Sequence, residues 1–103
     1  MDEDTEKLVI HVDPDLEEIV PPYLSNRQKD VKLIETMVEQ QDFESIRVLG
    51  HRMKGSGAGY GFDFISQVGR ELEQAAKEER PTEIIAQMAA LAAYLGRIDV
   101  RYT

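Results

Sequence analysis

His51 is the residue best placed to do chemistry in this chain. It lies in the run Ile46-Arg47-Val48-Leu49-Gly50-His51-Arg52-Met53-Lys54-Gly55-Ser56-Gly57. Read as a helix, Ile46, Leu49 and Met53 form one apolar stripe at three- and four-residue spacing. At roughly 100° per residue, His51 falls about 140–160° from each of them and faces water. Its same-face neighbours are Arg47, Val48, Lys54 and Gly55. A neutral imidazole is a nucleophile, able to attack the phosphorus of an acyl phosphate or of another phosphohistidine. Arg47, Arg52 and Lys54 make its surroundings a local positive patch, which suits a phosphoryl group or an acidic pocket on a partner.

Gly55 supports this chemistry. A helical side chain leans toward the N-terminus over the preceding turn, so a large residue at 55 would lie against the ring. Glycine leaves the ring open, at about 1 kcal/mol relative to alanine in a helix interior. Gly50, Gly55, Gly57, Gly59 and Gly61 crowd one short stretch. Such crowding implies close approach by another helix or by another protein. Gly69, mid-helix downstream, offers the first explanation: packing against the His51 helix.

The segment His51-Arg52-Met53-Lys54-Gly55-Ser56-Gly57-Ala58 resembles the His-x-x-Lys-Gly-small signature of histidine phosphotransfer (HPt) domains. The continuation Gly59-Tyr60-Gly61-Phe62, then Ile65, Val68, Leu72-Glu73 and Ala76, is similar to their next helix, and the resemblance spans roughly residues 14–98. It implies reversible phosphorylation of His51 on the ring nitrogen distant from the backbone. It implies Lys54 beside the phosphoryl oxygens. Helix geometry alone makes Gly55 the access residue and Arg47 a second candidate beside the phosphoryl group, and Arg47, Val48, Arg52 and Ala58 form the candidate binding set. The partners implied are receiver domains of response regulators and sensor histidine kinases. Mg²⁺ is expected on the receiver, so the domain needs no cofactor and no metal of its own. Some family members carry a glutamine near the ring where this chain has Glu73. An ionised carboxylate there repels phosphate and donates no hydrogen bond, though it can orient the ring or hold Lys54.

The elements that must position these residues read as all-α. Residues 1–12 form an acidic or extended N-terminal arm, and 13–103 one domain, the right size for a single core. Residues 1–7 are polar and expected to lack order. Leu8–Val12 is an extended arm or a short strand packed on the bundle, and His11 within it suggests only local hydrogen bonding. Asp13-Pro14 starts a short helix that Pro21-Pro22 interrupts. A longer helix runs from Pro22 to about Gln41, burying Leu24, Val31, Ile34 and Val38. Asp42 caps the His51 helix, which runs toward Gly59. Asp63 caps the next, with Ile65, Val68, Leu72 and Ala76 inward. Thr82 caps the last, with Ile85, Met88, Ala92 and Leu95 inward; Ile98 extends that stripe and Tyr102 covers the bundle end. Strand signals are nearly absent. Short connections favour an antiparallel up-down-up-down four-helix bundle with a short extra N-terminal helix. Val48, with Tyr60 or Phe62, forms either an apolar docking rim or a partly exposed core edge.

Composition excludes other classes. The net charge of −8 argues against nucleic acid. There is no cysteine, hence no disulfide framework or thiol site. No apolar run approaches the roughly 20 residues that span a bilayer, and the acidic start Met1-Asp2-Glu3-Asp4 is unlike a secretory signal. A cytoplasmic monomer is expected. Gly50 to Gly55 has the P-loop gap, but Ser56 stands where lysine is required, so no nucleotide site and no autokinase activity are expected. The expectation is therefore a phosphoryl carrier, not an enzyme. The competing readings are a helical interaction module that takes no phosphate, and a detached domain of a larger kinase, which the Met1 start disfavours.

Overall fold

Proline decides where the first long helix begins. Pro21 and Pro22 fall in the first turn of α1 (Val20–Glu39), where a missing backbone donor is harmless. They open this helix and do not interrupt an earlier one. The structure, a computed structural model, describes residues 6–103. The acidic start and most of the polar segment 1–7 lie outside the described residues. In place of the expected extra N-terminal helix there is one 3-10 turn, Pro14–Leu16, with the Asp13 carboxylate accepting from the Asp15 N–H at 2.9 Å.

Four helices make up most of the described chain. Asp42 caps α2 (Phe43–Ser56) as expected, accepting from the Ser45 N–H at 3.2 Å. This helix ends before Gly59; a 3-10 turn, Ala58–Tyr60, follows it, and Gly61 turns the chain at φ 96°, where a side chain would be strained. In α3 (Asp63–Lys77) the cap position belongs to Phe62, and Asp63 is the first helical residue, where its charge favours the helix dipole. In α4 (Pro81–Arg97) Arg80 takes the cap position and Pro81 opens the helix, so Thr82 sits inside the first turn.

The core comes from all four helices. Ile34, Ile46, Met53, Ile65, Val68, Leu72, Ile84, Met88 and Leu91 are fully buried. The α3 stripe is the expected one, and Leu49 on α2 is only half-buried. On α1, Val20 and Tyr23 join Ile34 inside, whereas Leu24, Val31 and Val38 pack at the core's edge. The α4 stripe is rotated from the expected one: Ile84, Met88, Leu91 and Tyr94 face in, while Ile85 and Ala92 face out. The helices pack in a ring, α1 on α2, α2 on α3, α3 on α4 and α4 on α1, with α2 and α3 most closely joined.

Two strands correct the all-helical expectation. β1 (Leu8–Val12) pairs in parallel with β2 (Ile98–Tyr102), in the register Leu8–Ile98 to Val12–Tyr102. Ile98 thus leaves the helix instead of extending its stripe. Ile98, Val100 and Tyr102 pack against the core, and Val12 is buried in it. His11 makes a 3.2 Å contact from Nδ1 to the Thr103 hydroxyl, 92 residues away, so its hydrogen bonding is not the local kind expected of it. No helix among the described residues is long and apolar enough to cross a membrane.

Candidate functional site

The His51 ring stands on the outer crest of α2 with its side chain 65 % exposed. The backbones of α2 and α3 touch beneath it. A Cβ placed on Gly50 would lie 2.7 Å from the Glu73 backbone N, and one on Gly69 would overlap the Lys54 backbone N. Only glycine permits this approach at either position. Gly69 therefore accounts for Gly50 through packing, as its mid-helix position suggested.

The approach carries Glu73 to the ring from α3. Glu73 Oε2 lies 3.2 Å from His51 Nδ1, and Oε1 lies 2.8 Å from Lys54 Nζ. The carboxylate is buried and the ammonium is partly exposed. The hydrogen bond from Lys54 is the main reason that the Glu73 carboxyl is held below its usual range; burial opposes this and the bond from His51 assists it. An ionised carboxylate only accepts, so Nδ1 must be the donor. In the neutral ring that leaves Nε2 bare, on the side away from the backbone. The site is thus an exposed nitrogen lone pair on a ring whose other nitrogen is anchored.

The remaining residues divide. A Cβ on Gly55 would meet nothing within 4 Å, so the space beside the ring is open. Val48 is half-buried and Arg52 exposed on the flank of α2 that faces α1. Arg47 turns toward Glu44, donating from Nε to Oε1 at 3.1 Å. Ala58 lies past the end of α2, its N–H donating to the Ser66 hydroxyl at 2.7 Å, about two helical turns beyond the ring. Phe62 is fully buried and so cannot serve as a rim; Tyr60 stacks on Tyr23 with ring centroids 4.2 Å apart. Glu73 is the residue that sequence reasoning underrated. Its signal was its position one turn past Gly69, on the same helix face. Among the described residues no group of three or more His, Asp or Glu side chains could hold a metal ion.

A scan against protein-family models matches the Hpt domain over residues 18–100, most of the chain. The chain belongs to the Hpt domain family. Hpt domains are phosphocarriers in phosphorelays rather than enzymes with ATP-binding sites, and they interact with receiver domains and kinases. In this Hpt chain β1 precedes the matched segment. Neither the curated proteins nor the solved structures compared give a match.

Proposed function

We propose that this Hpt domain relays a phosphoryl group on Nε2 of His51, receiving it from and returning it to the aspartate of a receiver domain or a sensor kinase. The 3.2 Å contact between His51 and Glu73 on a ring open to solvent is the observation that carries this reading. In the accepting step the Nε2 lone pair forms a bond to phosphorus while the bond from phosphorus to the donor's aspartyl oxygen breaks. The aspartate leaves with that electron pair. The Nδ1 proton stays where it is, and the positive charge gained by the ring is balanced by the Glu73 carboxylate. The reverse step needs no proton movement either.

Lys54 contributes position. Its ammonium has three donors, so it can keep Glu73 and still meet a phosphoryl oxygen. Phosphoryl transfer depends mainly on alignment and on charge stabilisation, which the partner's aspartate pocket and its Mg²⁺ complete. Gly55 leaves the approach open. Val48 and Arg52 meet the partner on one side, and Arg47 and Ala58 are peripheral contacts. The short connections between packed neighbours favour an up-down-up-down bundle, with residues 13–103 as its helical body and Leu8–Val12 of the N-terminal arm paired along it. The domain acts as a cytoplasmic monomer.

The test is labelling. A phosphorylated receiver domain should transfer label to the wild-type chain in an acid-labile, base-stable form, and His51→Gln should take none while its helical circular dichroism is unchanged. Full labelling of His51→Gln would move the site elsewhere. An unlabelled wild type that still binds receivers would make the domain an interaction module.

A further inference from the structure

The outer edge of β2 is open. β1 and β2 form a two-stranded sheet, and no further strand joins it among the described residues. Val12 is paired with Tyr102, and its carbonyl accepts from the Thr103 N–H at 3.1 Å. In a parallel ladder, one residue of each pair turns both backbone groups toward the neighbouring strand and the other turns both away. Val12, Ile10 and Leu8 therefore face β2, and Tyr102, Val100 and Ile98 face outward. The Ile98 N–H is taken by the Tyr94 carbonyl at the end of α4. The Ile98 carbonyl and both groups of Val100 and Tyr102 have no hydrogen-bond partner among the described residues. Such an edge is a template for another strand, and β2 contains neither the proline nor the lysine that commonly guards one.

The side chains at this edge specify which strand fits. Ile98, Val100 and Tyr102 pack on the core, so Asp99 and Arg101 stand on the opposite face, 37 % and 58 % exposed. They pair with each other at 2.8 Å, an exposed contact that contributes about 0–1 kcal/mol and is easily exchanged. An antiparallel partner must set its own outward-facing residues against Ile98, Val100 and Tyr102. When the partner is a second β2, one register aligns all five residues, centres Val100 on Val100 and sets Asp99 opposite the second copy's Arg101 twice. The smallest allowed slip either way sets Asp99 against Asp99 or Arg101 against Arg101, and like charges directly opposite repel. The charges thus select one register of self-pairing. The free edge of β1, Leu8–Val12, carries no acid and no permanent base and fixes no register. A stable complex engages about 20–30 residues a side, whereas β2 offers five. Two chains of net charge −8 also repel, so the pair is weak and forms where copies are concentrated. Transfer remains the act of one copy, since His51 lies on α2 and β2 extends α4, across the ring of helices.

We propose that the free edge of β2 joins the β2 of a second copy of this chain, antiparallel and centred on Val100, to give a four-stranded sheet in the order β1-β2-β2-β1. Asp99→Arg and Arg101→Asp each leave the edge with one sign of charge, so each variant repels its own kind. Mixed in equal amounts they complement each other, because two arginines of one copy face two aspartates of the other. Sedimentation velocity on the full chain, from about 10 μM to about 1 mM, should show wild type passing from monomer toward dimer at the upper end. Each variant alone should dimerise at least tenfold more weakly. The equimolar mixture should recover to within threefold of wild type. Both variants should keep the wild-type circular dichroism, and recovery in the mixture itself requires that both are folded. A wild type that stays monomeric throughout would overturn the proposal. So would single variants that dimerise like wild type, which would place the contact elsewhere, or a mixture of folded variants as weak as its components.

Discussion

Glu73 grips the Nδ1 side of His51 at 3.2 Å while its second oxygen holds Lys54 at 2.8 Å. One buried carboxylate thus selects the tautomer of the nucleophile and parks the cation that will face the phosphoryl group. Ring ¹⁵N shifts should report a protonated Nδ1 and a bare Nε2 in the neutral ring of the wild type. Glu73→Ala should show a mixture of tautomers and a labelling rate lower by about tenfold, the equivalent of about 1.4 kcal/mol, the scale of one hydrogen bond to a charged group. Glu73→Gln should fall between, because its carbonyl still accepts from Nδ1. A wild-type ring protonated at Nε2 would contradict the proposed step.

The same carboxylate makes stability depend on acid. Its folded value lies below the ordinary 4.5, with the Lys54 hydrogen bond as the leading cause. A depressed carboxyl stabilises the fold fully above its unfolded value and loses that contribution as pH falls through the folded one. Urea unfolding should therefore give a gap between wild type and Glu73→Gln that is present above about pH 5 and closes in stronger acid. A gap that stayed open in strong acid would contradict the pairing.

Gly69 on α3 and Gly55 on α2 should behave in opposite ways. Gly69→Ala forces a methyl group into the α2 backbone and should cost about 1–3 kcal/mol despite alanine's better helix propensity. It should also slow labelling, because Glu73 shifts with α3. Gly55→Ala meets open space and should gain up to about 1 kcal/mol with labelling retained. Gly55→Leu should keep the fold and impair receiver transfer, since its side chain leans over the ring. Chemical denaturation and transfer kinetics on the same samples check all three.

The strand pair should serve the scaffold and not the chemistry. Val12 is 3 % exposed and lies against the Gly61 turn. Val12→Ala should cost about 1–3 kcal/mol in urea unfolding. Under native conditions, labelling of His51 should be unchanged.

Sequence pattern was most legible where apolar residues recur without competition. Asp42 as a cap, Ile46 and Met53 on α2, and Ile65, Val68, Leu72 and Ala76 on α3 all stand where periodicity put them. On α4, Ala89, Ala90, Ala92 and Ala93 contribute so little contrast that two stripes fit almost equally, and the one through Ile85 and Ala92 was the wrong one. β2 carried a period-two signal in Ile98, Val100 and Tyr102. Its partner lies at the other end of the chain, so no local window reveals the pairing. Exposure of His51 follows from helix arithmetic alone. The bond to Glu73 does not, because it depends on how near two backbones come.

That nearness has a consequence for how the domain tolerates change. Where Gly50 faces α3, peptide plane meets peptide plane, and no rotamer intervenes between the two helices. Apolar residues elsewhere in the interior can be exchanged and repacked while the ring and its anchor keep their spacing. A single added methyl at this junction resets it, so the machinery is robust to drift in volume and brittle to drift at two atoms.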